Sequence, residues 1–209
     1  MRTDVCVISL LVGYAFGMFL TAEIVARKYA GKSSSEIGTT GNPGMANIMA
    51  HLGFKPGILV LIGDLLKCGL ACLLAHLIFR DPGRTDILFA GLGCTLGHDF
   101  PAWRKFRGGK GVATSSLAIA VYHFPAGLAA NIAGMLVVFA LQYLSLGGIV
   151  IPMVYAMIMA VLRDRKAVVI SFVYTALALY CHRKTLAGIR NGSTKRNDVL
   201  GAIRKKLKK

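Results

Sequence analysis

The chain has 209 residues, with 25 Lys+Arg against nine Asp+Glu and a formal charge of +16. Yet 55% of it is hydrophobic, only 16% is charged, and the mean hydropathy is +0.60. A soluble nucleic-acid binder is excluded because the polar residues are too few to cover a globule, disorder by the apolar fraction, and a disulfide scaffold by size and cysteine pattern, which leaves an all-α integral membrane protein.

Long apolar runs bounded by charge mark the spans, since a helix needs about 20 such residues to cross a bilayer. The first covers residues 5–24. It is longer than a signal-peptide core of roughly 7–15 residues, so it is expected to stay as an anchor. A polar stretch follows, containing Thr39-Thr40-Gly41-Asn42-Pro43-Gly44-Met45-Ala46-Asn47, with a further glycine at Gly38. Such glycines let the backbone turn and present successive N–H groups, a nest suited to phosphate. Thr40, Asn42 and Asn47 add side-chain donors and acceptors, although the same composition also makes an ordinary turn.

The second span, residues 56–79, has Pro56 in its first turn and is interrupted by Asp64 and Lys67. Their i,i+3 spacing puts both on one face, as a structural ion pair or as part of a site. The third span, residues 87–98, is short and holds Gly91, Gly93 and Gly97, which suits packing against other helices. Residues 97–114 then read Gly-His-Asp-Phe-Pro-Ala-Trp-Arg-Lys-Phe-Arg-Gly-Gly-Lys-Gly-Val-Ala-Thr. Its glycine loop, Gly108, Gly109 and Gly111 around Lys110, opens a helix at about residue 112, where backbone N–H groups favour an anion. The spacing is not that of a P-loop, and Gly111 stands where Ser or Thr would hold a nucleotide's metal. A basic membrane anchor is the other reading of this stretch.

The remaining spans are residues 111–122, 124–144, 146–162 and 167–181, seven in all. Ser145 sits between the fifth and sixth, and His182-Arg183-Lys184-Thr185 follows the seventh. Residues 1–182 are expected to form the membrane domain and residues 183–209 a basic tail lying on anionic lipid. No aromatic residues interleave with the tail's charges, so nucleic acid is not an expected partner. The five cysteines, Cys6, Cys68, Cys72, Cys94 and Cys181, all fall in apolar segments and read as small core residues, with neither metal nor cofactor expected.

Seven spans put the termini on opposite sides. One side collects Arg2, Arg80, Arg84, Arg163, Arg165 and Lys166; the other collects every remaining Lys and Arg except Lys67. The positive-inside bias makes the richer side cytoplasmic, with the N-terminus outside. The 39–47 and 98–111 stretches, Ser145 and His182 then share the cytoplasmic face.

These stretches resemble the bacterial acyl-phosphate:glycerol-3-phosphate acyltransferase family, of the PlsY type, over nearly the whole chain. The family's Gly-Ser-Gly-Asn-x-Gly-x-Thr-Asn motif is similar to residues 39–47, and its Asp-x-x-Lys to Asp64 and Lys67. Its Gly-His and Phe-x-Gly-Gly-Lys-Gly-Val-Ala-Thr match Gly97-His98 and residues 106–114, the most specific signal in the chain. Its Ser-Leu pair matches Ser145-Leu146, and its Arg-His-Arg-x-Asn is partly met by residues 181–185.

The resemblance implies seven helices in a bacterial plasma membrane, with a cytoplasmic site that transfers an acyl group from acyl phosphate to glycerol 3-phosphate. The product is lysophosphatidic acid, and no cofactor is needed. By position, Thr40, Gly41, Asn42, Gly44 and Asn47, together with His98, Gly108, Gly109 and Gly111, would bind substrate. Lys110 would bind phosphate charge, and Ser145, His182 and Thr185 would contact glycerol phosphate. The family's Arg after the first motif is Ala50 here, beside His51. Its third-motif Asn is Thr185 and its leading Arg is Cys181; Thr40 and Ala46 replace its Ser and Thr. A charged hydrogen bond is worth roughly 1.5–3 kcal/mol, so glycerol phosphate binding is expected to weaken unless His51 or another cation substitutes. A different acceptor for the same donor, or a non-catalytic regulator or lipid binder, are the alternative readings.

Overall fold

The computed structural model describes residues 2–194 and 196. The chain divides into two units, Met1–Tyr122 and His123–Lys209. Among the described residues the first unit contains α1 (Thr3–Gly17), α2 (Thr21–Ala30), α3 (Met45–Leu52), α4 (Phe54–Phe79), α5 (Thr85–Asp99) and α6 (Val112–Tyr122). Short 3-10 turns lie at Ser34–Glu36 and Ala102–Arg104. The second unit contains α7 (Phe124–Leu141), α8 (Leu144–Val161) and α9 (Arg165–Arg190).

Among the described residues, four segments are long and apolar enough to cross a membrane: Thr3–Ala30, Phe54–Phe79, Phe124–Leu141 and Leu144–Val161. On α4 the buried stripe includes Val60, Asp64, Lys67, Cys68, Ala71 and Ala75. The opposite stripe exposes Leu59, Ile62, Leu66, Leu70, Leu73 and Leu77. Charge inside and leucine outside is the reverse of a soluble helix, and lipid is the solvent that stabilises it.

Glycines bring α1 and α5 together. A Cβ at Gly13 or Gly17 would collide with the α5 backbone at Ala90 or Cys94, and one at Gly93 or Gly97 with α1 at Leu10 or Tyr14. Both helices therefore carry a small-xxx-small pair facing its counterpart, the close packing that lets helices associate where lipid gives no hydrophobic drive. In the second unit Gly134 of α7 and Gly147 of α8 make a similar approach, with a Cβ at Gly147 only 2.7 Å from Gly134 O. Asp164 starts α9 by accepting the Ala167 N–H at 3.1 Å.

Two helix boundaries differ from the sequence reading. The first span is not continuous: α1 ends at Gly17, and the chain breaks before α2 begins at Thr21. The freed carbonyls are satisfied from within the unit. Lys67 Nζ donates to Phe19 O at 2.8 Å and to Gly17 O at 3.4 Å, and Trp103 Nε1 donates to Met18 O at 2.9 Å. Irregular backbone at membrane depth survives only with such partners. At the other end α9 continues past residue 181 to Arg190, so His182 and Thr185 lie on a helix rather than in a loop. Asn191 and Gly192 (φ +76°) stop it. Of the tail expected over residues 183–209, residues 183–190 continue α9, and residues 195 and 197–209 lie outside the described residues.

Candidate active site

Glu23 organises the approach to the first glycine loop. Its Oε2 accepts from Ser34 N (3.0 Å), Ser34 Oγ (2.7 Å) and Ser33 Oγ (3.2 Å), while Arg27 Nε binds Oε1 at 2.9 Å. Ser33 also caps the 3-10 turn, in a reciprocal capping box with Glu36. Arg104, from the connection after α5, donates to Ser34 Oγ at 3.1 Å and reaches Glu23 Oε2 at 3.9 Å. One buried carboxylate therefore ties the segment before the 39–47 loop to the segment before the 108–111 loop.

Inside the first loop Gly41 has φ +55°, and a Cβ there would lie 2.6 Å from Ser35 O. Only glycine suits that turn. Asn47 is buried and committed to holding the loop: Nδ2 donates to Ile37 O at 2.8 Å and Oδ1 accepts from Thr40 Oγ1 at 3.1 Å. Thr40 Oγ1 also accepts the Asn42 N–H at 3.4 Å. Asn47 thus shapes the loop rather than reaching out as a substrate donor. The loop runs into α3, whose N-cap is Gly44 with no side-chain cap. That leaves the first-turn N–H groups of α3 without a side-chain acceptor, the arrangement that attracts anions. His51 Nδ1 lies 2.9 Å from Asn47 O, and its ring covers the Cα of Gly38. Ala50 is exposed.

The second glycine loop differs from expectation. Gly108 N–H donates to Asp99 O and Gly109 N–H to His98 O, both at 2.9 Å. These donors cap the end of α5 and are not available as an anion cradle. A Cβ at Gly108 would collide with His98 O, and one at Gly109 with the His98 ring. Gly111 has φ +65°, and a Cβ there would sit 2.8 Å from the buried Asp99 carboxylate. The start of α6 thus already faces the Asp99 side chain. The glycines allow the loop to lie flat on α5, and the charge this segment offers a phosphate is that of Lys110, which is half-buried.

Below that loop Asp64, Lys67 and His98 form one buried cluster. Lys67 Nζ is 2.9 Å from Asp64 Oδ1 and 2.8 Å from His98 Nδ1. Thr21 Oγ1 donates to Asp64 at 3.4 Å. A lysine this deeply placed is tolerated because a carboxylate, a carbonyl and an imidazole surround it.

In the second unit α8 and α9 pack together across the short turn at Leu162–Asp164. Ser145 and His182 stand at nearly equal distances along the chain from that turn, so both lie at the same end of the helix pair. Both are buried, and Ser145 Oγ makes no hydrogen bond among the described residues. Thr185 follows one turn later on α9, and its carbonyl accepts from Thr194 Oγ1 at 3.2 Å.

Sequence reasoning missed Glu23 and Arg104. Its one available signal was the Glu23–Arg27 i,i+4 pair at the end of a span. Nothing local links it to Arg104. Among the described residues no group of three or more His, Cys, Asp or Glu side chains is placed to hold a metal ion. The shallow groove lined by Phe16, Leu70, Leu73, Leu74 and Leu77 is wholly apolar in its lining residues and holds no reactive group.

Fold and site together define an all-helical, multi-pass membrane protein whose buried charges support two glycine-rich polar loops. The model of the glycerol-3-phosphate acyltransferase family matches residues 7–192, and the chain belongs to that family. Glycerol-3-phosphate acyltransferase 1 of Lactobacillus acidophilus is 38% identical over 200 residues, covering 94% of each chain. The glycerol-3-phosphate acyltransferase of Clostridioides difficile is 32% identical over 194 residues, covering 91% of this chain and 94% of its own. The crystal structure of PlsY (YgiH), an integral membrane glycerol 3-phosphate acyltransferase, in its glycerol 3-phosphate form superposes with a TM-score of 0.82 at 27% identity, covering 95% of this chain and 98% of that one. Its lysophosphatidic acid form gives 0.78 at 26% identity.

Proposed function

We propose that the chain transfers a fatty acyl group from acyl phosphate to the 1-hydroxyl of glycerol 3-phosphate, in phospholipid synthesis. The hydroxyl oxygen bonds to the acyl carbonyl carbon, the carbonyl carbon–phosphate oxygen bond breaks, and phosphate leaves with that electron pair. The hydroxyl proton ends on a phosphate oxygen. Acyl phosphate is a mixed anhydride and already activated, so the protein's task is positioning and charge stabilisation rather than strong base catalysis.

The observation that carries this reading is Ser145: a buried hydroxyl with no partner among the described residues, at the position where the family resemblance puts an acceptor contact. A buried polar atom normally has a partner, and a substrate hydroxyl or phosphate oxygen supplies one. His182 and Thr185 are assigned to the same acceptor. Lys110 is assigned to phosphate charge. Thr40, Gly41, Asn42 and Gly44, leading into the uncapped start of α3, are assigned to a phosphate oxygen. Gly108, Gly109, Gly111 and Asn47 serve by shaping the loops.

The same reading places seven crossings in a bacterial plasma membrane: α1 with α2, then α4 through α9. At about 1.5 Å per residue α5 and α6 are short, which suits helices packed among others. The N-terminus lies outside, and the polar loops and the basic tail face the cytoplasm.

One observation favours a second reading with the same donor and another acceptor. Thr185 and Ala50 stand where the family resemblance expects an Asn and an Arg, and Ala50 is exposed. An acceptor panel separates the two. Purified protein given acyl phosphate with glycerol 3-phosphate, glycerol or a sugar phosphate is expected to acylate glycerol 3-phosphate fastest. Faster acylation of another alcohol would reject the first reading.

A further inference from the structure

The Asp64–Lys67–His98 cluster lies directly beneath the loop that carries Lys110, and its hydrogen bonds fix more than charge. Lys67 has three N–H donors and no acceptor. The three short contacts of Nζ are to Asp64 Oδ1 (2.9 Å), Phe19 O (2.8 Å) and His98 Nδ1 (2.8 Å), with Gly17 O farther away at 3.4 Å. An ammonium has no lone pair to accept with, so opposite a charged Lys67 Nδ1 is the acceptor and the ring proton sits on Nε2. The Nε2 edge is the one turned to Gly109, since a Cβ on Gly109 would collide with it. His98 holds Gly109 a second time through its backbone, His98 O accepting Gly109 N–H at 2.9 Å. Lys110 is the next residue.

We propose that Asp64 and Lys67 are positioning residues for acyl transfer, holding His98 in its Nε2–H tautomer so that the imidazole braces Gly109 and fixes the backbone from which Lys110 reaches the substrate phosphate. This rests on the acyl-transfer reading above for its catalytic consequence, but the tautomer stands on the geometry alone. Among the described residues, the charged groups in contact with the ring are few. Asp64 and Lys67 come from α4. On α1 the titratable Tyr14 has its hydroxyl committed to Phe100 O at 2.7 Å. The residue on α6 that titrates, Tyr122, is at the far end of that helix. Asp64 Oδ1 is 3.7 Å from His98 Nδ1, so removal of Lys67 leaves this carboxylate as an acceptor for an Nδ1–H.

The test is spectroscopic first. The full-length protein in detergent, labelled with 15N-histidine, is compared with His98→Asn to assign the His98 signals among five histidines. The wild type is expected to show a protonated-type Nε2 and a pyridine-type Nδ1. Lys67→Met is expected to reverse them, the proton moving to Nδ1 beside Asp64. An Nδ1–H tautomer in the wild type overturns the proposal, whatever the protein's activity.

The catalytic half uses His98→Asn, whose amide oxygen overlays Nδ1 and still accepts from Lys67, while the ring edge against Gly109 is lost. If bracing of the loop matters, kcat falls by about tenfold to a hundredfold in folded protein, since a displacement near 1 Å costs that much. Full activity in His98→Asn overturns the positioning role and leaves the acyl-transfer reading intact. An inactive wild type rejects the acyl-transfer reading, and the coupling to catalysis with it, while the tautomer result is read on its own.

Discussion

Glu23 Oε2 accepts the Ser34 hydroxyl at 2.7 Å, joining α2 to the turn that precedes the first glycine loop. Ser34 in turn accepts from Arg104 of the second loop's approach. Replacing Glu23 with Ala leaves these donors unmatched at a buried position. A buried group left unsatisfied costs about 1–3 kcal/mol, so Glu23→Ala is expected to lower the unfolding midpoint and to reduce activity together. Glu23→Gln, which keeps an acceptor oxygen, should lose less of both. Thermal unfolding and turnover measured on one detergent preparation check this.

Ser145 makes the opposite prediction. Its Oγ is buried and unsatisfied among the described residues, so removing it deletes no internal hydrogen bond. Ser145→Ala is expected to leave stability unchanged or slightly raised. The KM for glycerol 3-phosphate should rise about tenfold, the value of one ordinary substrate hydrogen bond, with kcat affected less. A stability loss without a KM change would assign Ser145 to packing.

Much of the fold is legible in the sequence, and the exceptions share a cause. Expected spans at residues 56–79 and 124–144 correspond to Phe54–Phe79 and Phe124–Leu141, both long and apolar enough to cross a membrane, whereas the one at 111–122 corresponds to a shorter apolar helix, Val112–Tyr122. Apolar length and flanking charge decide those. The break after Gly17 is invisible because Met18, Phe19 and Leu20 are as apolar as their neighbours. The donors that make it tolerable, Lys67 and Trp103, lie 48 and 85 residues away in sequence. The second glycine loop fails in the same way. Its composition announces free N–H groups, but Gly108 and Gly109 fold back onto the carbonyls that end α5, a contact that composition cannot reveal.

Gly109→Ala separates the two readings of that loop. Its N–H is already committed to His98 O, and alanine keeps that bond, but the added Cβ meets the imidazole. Something must shift, and the residue that moves with it is Lys110. A loss of activity of about a hundredfold is expected with the helical content retained. Unchanged activity would mean that the close contact carries no function.

Ala50 lies exposed on α3, beside a His51 whose ring covers Gly38. Ala50→Arg adds a charged donor in the last turn of α3, at the position where the family resemblance expects one, and about 1.5–3 kcal/mol is at stake in one such contact. It is expected to lower the KM for glycerol 3-phosphate about tenfold or more, and His51→Ala to raise it in the wild-type background. If Ala50→Arg leaves the KM unchanged, the acceptor phosphate does not reach α3.

The central claim is the group transfer itself. Purified protein is incubated with acyl phosphate and glycerol 3-phosphate, and both lysophosphatidic acid and released phosphate are measured, with Lys110→Ala as the control. The account predicts equal amounts of the two products, and their loss by at least about a hundredfold when the Lys110 charge is removed. Phosphate release without lysophosphatidic acid, or no turnover by demonstrably folded protein, would contradict it.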